Sequence, residues 1–363
     1  MNYCKPLLLL GAGAKGSKYL EFAEKYQYPI VLSRLAIDLV PYSHPLHVGH
    51  AGIYGDVQSL RAFQECDLLF IAGCRLSATS IVGYQPDKWS PKSHKVMVDI
   101  DPLELQVKDV KIDTLVNTSC QEFFDKLLLV PAPPVNNLEW VNQCHKWKRK
   151  YKIVSKSMMK ENPINSYYFT ECLSNLASPN DIILVDTGSC FHVVAQAWKI
   201  KRGQKFITTG GLSSMGWWAG SLGAGVLGHT LCITGDGSLM MNLQELATVK
   251  NNNLPIKIFV WNNQGYGLIR ATQNRFMEGR FIGIDTKTGL SFPDFRKIAD
   301  AFGLKHYLIN DNKPDKIIKQ VLEENQPVIC EVTNSCTQIL LRPSDLFTAP
   351  SVSNRAKSTS SAK

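Results

Sequence analysis

The stretch that decides the fold is Leu231 to Gly237 (LCITGDG) together with Ile256 to Asn263 (IKIFVWNN). The first run is apolar and ends in a Gly-Asp-Gly turn, which predicts a buried strand that delivers a carboxylate to a loop. The second run is rich in β-branched and aromatic residues, which predicts a central parallel strand. Between them, apolar residues recur at helical spacing and Asn242 precedes Glu245 as a capping pair, predicting a helix of roughly ten residues. The whole stretch is therefore predicted to be a βαβ unit.

Both predicted strands end in side chains that carry oxygen atoms. In open parallel sheets, ligands collect outside the carboxyl ends of the strands, where Asp236 and Asn263 would emerge. Mg²⁺ takes a few oxygen ligands from the protein and completes its shell with phosphate oxygens and water. The two residues therefore predict a divalent-metal and diphosphate site, although a Gly-Asp-Gly sequence by itself is more often a simple turn.

The Gly-Asp-Gly and Asn-Asn pattern, with a helix and a strand between, resembles the cofactor motif of thiamine diphosphate (ThDP) enzymes. A second segment, Thr209 to Gly216 (TGGLSSMG), resembles the segment that grips the aminopyrimidine ring in acetolactate synthase-like ThDP enzymes. There Met215 matches a bulky apolar wedge that bends the cofactor. Ser213 matches the residue whose backbone carbonyl holds the 4′-amino group. Taken alone, Met215 could also fill a gap in a core.

The run from Asp181 to Cys190 predicts another strand that ends in a glycine loop, and the N–H groups of such a loop can meet phosphate. It resembles the diphosphate loop of the same family, with Ser189 and Cys190 in place of a Gln-His pair. The metal ligands that the resemblance implies are Asp236, Asn263 and the main-chain carbonyl of Gly265. The cofactor-binding residues that it implies are Gly188, Ser189, Cys190, Ser213, Met215, Asp236, Gly237, Ser238, Asn263 and Gly265.

The front of the chain carries a second motif. Gly11 to Gly16 (GAGAKG) follows an apolar run and satisfies the dinucleotide fingerprint. A dinucleotide site would want an acidic residue after the second strand, where Arg34 stands, so nicotinamide binding is the weaker interpretation. The segment instead resembles the Rossmann-like central domain of ThDP enzymes, which in acetolactate synthase holds FAD. Because Ser77 to Ser80 departs from the FAD-contacting pattern, FAD is an alternative and not an expectation.

Two other features could indicate a zinc site and a nucleic-acid interface, but the residues around them favour a structural explanation. His44, His47 and His50 stand at three-residue steps, but the prolines and glycines around them predict a loop near the domain junction and not a zinc site. The basic run 145–150 (HKWKRK) lies in a predicted helix and is interpreted as a solvated face, with no nucleic-acid partner.

The fold class predicted is α/β, with two parallel-sheet, three-layer domains. Residues 1–130 form the Rossmann-like central domain, 131–161 the linker and connecting helix, and 162–343 the ThDP diphosphate-binding domain. The connecting helix is predicted from Leu138 to about Met159. The tail 344–363, rich in Ser, Ala and Lys, is predicted to be disordered.

Composition agrees with this organisation. With 363 residues, 44% hydrophobic and 20% charged, the chain can bury two cores of ordinary size. No apolar run approaches the length of a membrane span, and the ten cysteines are scattered, which predicts reduced thiols in a cytoplasmic protein. The net charge of +9 suits an anionic cofactor and 2-keto acid substrates.

The residues after Asn263, with 279–283 and 291–295, resemble the acetolactate synthase-like branch found among surface-polysaccharide genes. The resemblance implies a ThDP- and Mg²⁺-dependent, homo-oligomeric protein. Such a protein decarboxylates a pyruvate-like 2-keto acid and transfers the resulting carbanion to a carbonyl acceptor.

Family enzymes carry a pyrimidine-binding domain ahead of the central domain, and this chain begins a few residues before the central domain. The expectation is that a separate chain supplies that domain. Two alternatives stay open: a catalytically incomplete ThDP-binding or regulatory remnant, and, more weakly, a nicotinamide-dependent oxidoreductase.

Overall fold

Two six-stranded, all-parallel sheets organise the chain. A computed structural model describes residues 3–77, 86–106, 109–131 and 137–343. Alternate residues of a central strand enter different cores: Leu7 and Leu9 of the first sheet pack on one face, and Leu8 and Leu10 on the other. Both faces are thus covered, as parallel sheets with helical crossovers require. The predicted fold class, two three-layer α/β domains, is confirmed.

The first sheet begins near the start of the chain and has the strand order β3-β2-β1-β4-β5-β6. Its strands are β1 (Pro6–Leu10), β2 (Ile30–Leu32), β3 (His47–His50), β4 (Leu68–Ala72), β5 (His94–Asp99) and β6 (Thr114–Asn117). The helices around it are α1 (Tyr19–Tyr26), α2 (Val57–Glu65), α3 (Pro102–Gln106), α4 (Cys120–Leu129) and α5 (Leu138–Lys150). The order reverses between β1 and β4, which opens a crevice at their carboxyl ends.

The second sheet has the order β11-β12-β10-β9-β7-β8. Its strands are β7 (Ile182–Val185), β8 (Lys205–Thr208), β9 (Thr230–Gly235), β10 (Ile256–Asn262), β11 (Lys305–Ile309) and β12 (Val328–Thr333). Its helices are α6 (Ser166–Leu176), α7 (Ser189–Ala197), α8 (Ser221–Leu227), α9 (Asp236–Leu239), α10 (Glu245–Asn251), α11 (Gly267–Phe276), α12 (Phe295–Ala301) and α13 (Asp315–Glu323). The order reverses between β7 and β9, so a second crevice lies there.

The predicted connecting helix is shorter than expected and belongs to the first domain. It ends at Lys150, not near Met159. Trp140 lies in the core on one face of the first sheet, and its indole N–H donates to the Pro6 carbonyl at 2.8 Å. Lys148 turns inward and donates to the carbonyl oxygens of Tyr42 and His47 at 2.6 and 2.8 Å. The run 145–150 is therefore only partly the solvated face predicted for it.

The three histidines near the domain junction lie in different environments. His47 and His50 are buried in β3, so the loop predicted for them is wrong, because the strand pairs with β2 despite the glycine in it. His44 instead contacts Glu24 at 3.1 Å. Among the described residues, no three His, Cys, Asp or Glu side chains converge on a position for a metal ion.

Two global expectations can be compared with the described residues. None of the helices in those parts of the chain has the length and apolarity to span a bilayer. All ten cysteines lie in described ranges and are free thiols, eight of them buried.

Phe259 provides a test of the second core. It is fully buried in β10, where the Phe169 ring packs against it in a tilted arrangement with 5.8 Å between ring centres. Replacing it, Phe259→Ala, should lower the free energy of unfolding by about 3–5 kcal/mol, because a cavity is left at the centre of the sheet. The matched change Phe276→Ala, at a ring that is 66% exposed, should change stability by less than about 0.5 kcal/mol. Urea denaturation measures both, and equal losses would contradict this account of the core.

Candidate functional site

The carboxyl ends of three neighbouring strands gather the main candidate residues. β9 pairs in parallel with β7 on one side and with β10 on the other. Asp186 follows β7, Asp236 follows β9, and Asn263 follows β10. Because all three strands run in the same direction, these residues emerge at one edge, beside the crevice between β7 and β9.

Asp236 is the most constrained of them, with 2% of its surface exposed. Its Oδ1 accepts a hydrogen bond from the Gly237 N–H at 2.7 Å, and its Oδ2 accepts from the N–H groups of Asn263 and Gly265, each at 3.2 Å. Burial raises the pKa of Asp236 to about 6, although the backbone donors act in the opposite direction. The donors hold the carboxylate in place, but they do not fully offset its loss of hydration.

The local structure around Asp236 differs from the prediction in two ways. Asp236 does not sit on a loop but begins the short helix α9, and α10 starts separately at Glu245. The predicted capping pair of Asn242 and Glu245 is wrong, because the Asn242 side chain donates instead to the Gly216 carbonyl at 2.9 Å. Tertiary contact with the 209–216 segment thus takes the amide that the local pattern assigned to a cap.

Asn263 carries a buried acceptor that has no partner. Within the described residues, nothing donates to its side-chain Oδ1, although that atom is buried. Buried polar atoms are normally hydrogen-bonded, so an orphaned oxygen beside the Asp236 carboxylate indicates a missing ligand. An amide oxygen next to a carboxylate is a donor set that fits a hard divalent cation.

The N-terminus of α7 lies beside Asn263. Gly188 precedes the helix with φ of 93°, in the region that favours glycine, and Ser189 is its first residue. A Cβ placed on Gly267 would lie 3.3 Å from Asn263 Nδ2 and 3.6 Å from Ser189 Oγ, so the two side chains flank the same point. The free N–H groups and the dipole at this helix start favour an anion there.

Three other predicted residues have distinct environments. Gly237 packs under an aromatic ring, since a Cβ on it would come 2.2 Å from Tyr266 Cε1. Ser238 is buried in α9. The Cys190 thiol is buried and donates to the carbonyl oxygens of Thr187 and Asp186 at 2.9 and 3.2 Å, and burial raises its pKa well above the usual range. The Cys190 side chain therefore points into its own helix turn as an unreactive thiol.

Asp186 organises the 209–218 segment and was missed by the sequence reasoning. Its Oδ1 accepts from the N–H groups of Thr187 and Trp217 at 2.7 and 3.1 Å. Its Oδ2 accepts from the Trp218 N–H at 3.1 Å and from the Thr234 hydroxyl at 2.8 Å. The signal was available, because Asp186 ends an apolar strand as Asp236 does. The carboxylate is fully buried and ties the segment to β7 and β9.

The predicted wedge lies on this anchored segment. Met215 is 37% exposed at the carboxyl edge, so it is not a core filler. Ser213 has φ of 52°, and its carbonyl accepts a hydrogen bond from the Thr187 hydroxyl at 2.9 Å. Thr187 is a further residue that sequence reasoning missed. It links the diphosphate loop to the carbonyl assigned to the aminopyrimidine ring, and that carbonyl keeps a second lone pair.

The first sheet has its own cavity, of about 970 Å³, at its crevice. Gly11, Gly13 and Gly73 line it together with Arg34, and carboxylates such as that of Asp99 reach its wall. A Cβ on Gly11 would come 1.9 Å from the Gly73 carbonyl oxygen. The fingerprint glycine is therefore required by the packing of the two loops whether or not a ligand binds. Of the stretch assigned to FAD contact, Ala78 to Ser80 lies outside the described residues.

Each of the two domains matches a known family model. Residues 2–127 match the family model described as Thiamine pyrophosphate enzyme, central domain. Residues 186–332 match the one described as Thiamine pyrophosphate enzyme, C-terminal TPP binding domain. The chain belongs to the thiamine pyrophosphate enzymes. Thiamine pyrophosphate is another name for ThDP, so the recognition made from the sequence motifs is confirmed.

The curated relatives reported below are acetolactate synthase large subunits. The chain is 30% identical to acetolactate synthase isozyme 1 large subunit of Escherichia coli over 338 residues, which are 90% of this chain and 58% of the relative. It is 29% identical to the probable acetolactate synthase large subunit of Methanocaldococcus jannaschii, over 90% of this chain and 57% of the relative. It is 27% identical to the acetolactate synthase large subunit of Lactococcus lactis, over 93% and 59%. The chain thus spans less than two thirds of the length of these ThDP-family relatives.

The role of Asp186 can be tested with Asp186→Asn. The amide nitrogen would face N–H or O–H donors where an oxygen now accepts, so unfolding free energy should fall by about 1–3 kcal/mol. Amide hydrogen exchange should rise at Trp217 and Trp218. Asp300→Asn, at an exposed position in α12, is the matched control. Unchanged exchange in Asp186→Asn would contradict the anchoring role.

The raised pKa of Asp236 predicts a pH dependence in the ligand-free protein. A folded-state pKa above that of the unfolded chain means that the folded state binds the proton more tightly, so its stabilising contribution is present at low pH and lost as pH rises. Relative to Asp236→Asn, the wild-type protein should lose up to about 3 kcal/mol of stability between pH 4 and pH 7. Urea denaturation across this range measures the difference. A constant difference would show that Asp236 titrates normally.

Proposed function

We propose that the chain binds ThDP and Mg²⁺ at the carboxyl edge of the second sheet and acts as an acetolactate synthase-like protein. The observation that carries the proposal is the orphaned Asn263 oxygen beside the buried Asp236 carboxylate, within the region that matches a TPP binding domain. The reaction proposed is decarboxylation of a pyruvate-like 2-keto acid, followed by transfer of the remaining carbon unit to a carbonyl acceptor. The donor and acceptor substrates of the whole protein are part of this proposal.

Asp236, Asn263 and the Gly265 carbonyl would hold Mg²⁺. The Gly265 N–H already donates to Asp236, which keeps the residue that carries this carbonyl next to the carboxylate. A divalent cation would also favour the charged form of a carboxyl group whose pKa burial has raised to about 6. The ion would thus offset the unfavourable burial of the negative charge on Asp236.

The start of α7 would bind the diphosphate. Gly188 and Ser189 lie at the helix N-terminus beside Asn263, and Gly237 and Ser238 lie at the start of α9. Cys190 would contribute its backbone N–H and not its thiol, whose proton is used within the turn. Neighbouring N–H groups and the helix dipole both stabilise negative charge at this place.

The 209–218 segment would orient the aminopyrimidine ring. Met215 would support the bent cofactor, and the Ser213 carbonyl would accept a hydrogen bond from the 4′-amino group while Thr187 fixes that carbonyl. When bound, ThDP supplies a carbon nucleophile that allows a 2-keto acid to lose CO₂. The residues of this chain would bind and position the cofactor.

The proposal also covers location, assembly and a second ligand. The protein is also proposed to be a cytoplasmic homo-oligomer, and the ten free thiols support the cytoplasmic location. The cavity of about 970 Å³ in the first domain has the size of a nucleotide site, which supports FAD or, less directly, a nicotinamide cofactor as a second ligand. A ThDP-binding regulatory protein without turnover is the alternative function.

Calorimetric titration tests the proposal. ThDP should bind in MgCl₂ and at least about tenfold more weakly in EDTA, because Asp236 and Asn263 would hold a cation that offsets the charge of the diphosphate. Asn263→Ala should weaken Mg²⁺-dependent binding by about tenfold or more, whereas Asn251→Ala, at an exposed residue of α10, should leave it unchanged.

The titration is repeated with an added polypeptide that carries the pyrimidine-binding domain of an acetolactate synthase. Absence of Mg²⁺-dependent binding in both conditions would exclude the main proposal. Binding without release of CO₂ from pyruvate would favour the regulatory alternative. A measured release would favour the enzyme.

A further inference from the structure

Two arginines from different parts of the chain are linked through aromatic side chains at the junction between the domains. Arg34 follows β2, and its Cζ lies 4.2 Å from the centre of the Phe191 ring in α7. Arg342 follows β12 in the chain, and its Nη2 donates to the Tyr54 hydroxyl at 3.1 Å. The Tyr54 ring packs on His192, with 4.1 Å between ring centres. Continuous contacts therefore connect the two guanidinium groups. We call Arg34, Tyr54, His192 and Arg342 the junction cluster.

Within the part of the chain that the structure describes, no carboxylate pairs with the positive charge of the junction cluster. Within the described residues, neither arginine forms an ion pair with a carboxylate; Arg34 stacks on a ring, and Arg342 bonds to a neutral hydroxyl. Burial lowers the pKa of Arg34 to about 10. Burial, and after it the nearby positive charges of Arg34 and Arg342, lower the pKa of His192 to about 3. Like charges that converge in a place of low dielectric are unfavourable unless an anion lies between them.

His192 supplies a second, independent observation. Its side chain is buried, with 8% of the residue exposed, and its Nδ1 has no hydrogen-bond partner among the described residues. A buried ring nitrogen is normally satisfied, so a ligand atom is expected next to it. Since the low pKa keeps the imidazole neutral, one ring nitrogen can donate an N–H to an anion.

The cluster is also held rigid before any ligand arrives. The Gln196 side-chain amide, one turn along α7 from His192, donates to the carbonyl oxygens of Gly55 and Leu341 at 2.9 and 3.2 Å. These residues are the neighbours of Tyr54 and Arg342. The Tyr167 hydroxyl accepts from the Leu341 N–H at 2.8 Å and adds a further anchor. Pre-ordering of this kind lowers the entropic cost of binding.

We propose that the junction cluster is a binding site for a phosphate-type dianion, distinct from the diphosphate site at the start of α7. Two guanidinium groups match the charge of a dianion, and their planar arrays of N–H donors match phosphate oxygens. His192 and Tyr54 add neutral polar groups. Arg34 also lines the cavity of about 970 Å³, so the phosphate is either free or carried on a molecule that extends into that cavity.

Titration of the full chain with inorganic phosphate tests the site. Phosphate should bind and raise the thermal unfolding midpoint relative to sodium chloride at equal ionic strength, because it binds the folded state. Arg34→Gln and Arg342→Gln should each weaken phosphate binding by about tenfold or more. In chloride alone, each should raise the midpoint, since removing one arginine relieves the repulsion. Arg296→Gln, at an exposed position in α12, is the matched control and should behave as wild type.

Two further experiments distinguish free phosphate from a phosphate ester, and the junction cluster from the ThDP site. Ribose 5-phosphate that binds more tightly than inorganic phosphate would identify a phosphate ester as the ligand, and the reverse order would identify free phosphate. Ser238→Ala should leave the phosphate effect intact, because Ser238 belongs to the separate ThDP site. The inference is overturned if phosphate and chloride give equal midpoints, or if Ser238→Ala removes the effect and the arginine variants do not. Failure of ThDP binding would leave these results unaffected.

Discussion

The parallel pairing of β9 with β7 and β10 is the constraint on which the candidate site depends. It places three strand ends, and the polar residues that follow them, at one edge of a buried sheet. None of these residues is near another in sequence. Parallel strands also force helical crossovers, so the start of α7 necessarily faces the same edge. The strand pairing thus brings together the carboxylate, the amide oxygen and the helix N-terminus that are proposed to bind Mg²⁺ and the diphosphate.

Buried carboxylates do two different jobs along this edge. Asp186 is saturated by four donors and acts as a structural clamp for the 209–218 segment. Asp236 is also held by N–H groups, but it lies beside an orphaned amide oxygen, and burial raises its pKa to about 6. The two carboxylates differ in their neighbours, because the residue whose N–H binds Asp236, Asn263, carries a buried acceptor oxygen with no partner among the described residues. A burial cost that is left unbalanced at Asp236 is typical of a site built for a cation.

The fold also brings together positively charged residues at the domain junction. The arginines of the junction cluster come from segments that are distant in sequence, and α7 supplies the surface between them. Helix α7 carries Ser189 at its start and His192 three residues later. The same helix therefore contributes to the proposed diphosphate site and to the junction cluster. The fold therefore concentrates donors for anions around one helix.

Sequence alone determined the two α/β domains, the βαβ unit around Asp236, and the membership of a ThDP family, because apolar runs, glycine turns and motif spacing are local properties. It did not determine that Asn242 bonds Gly216 instead of capping α10, that Cys190 turns into its own helix, or that α5 ends at Lys150 and packs on the first sheet. These outcomes depend on competition between local and distant partners for the same polar or apolar group. The four donors of Asp186, the role of Thr187 and the junction cluster likewise emerged only in three dimensions, since contacts between side chains distant in sequence have no signature in a linear chain.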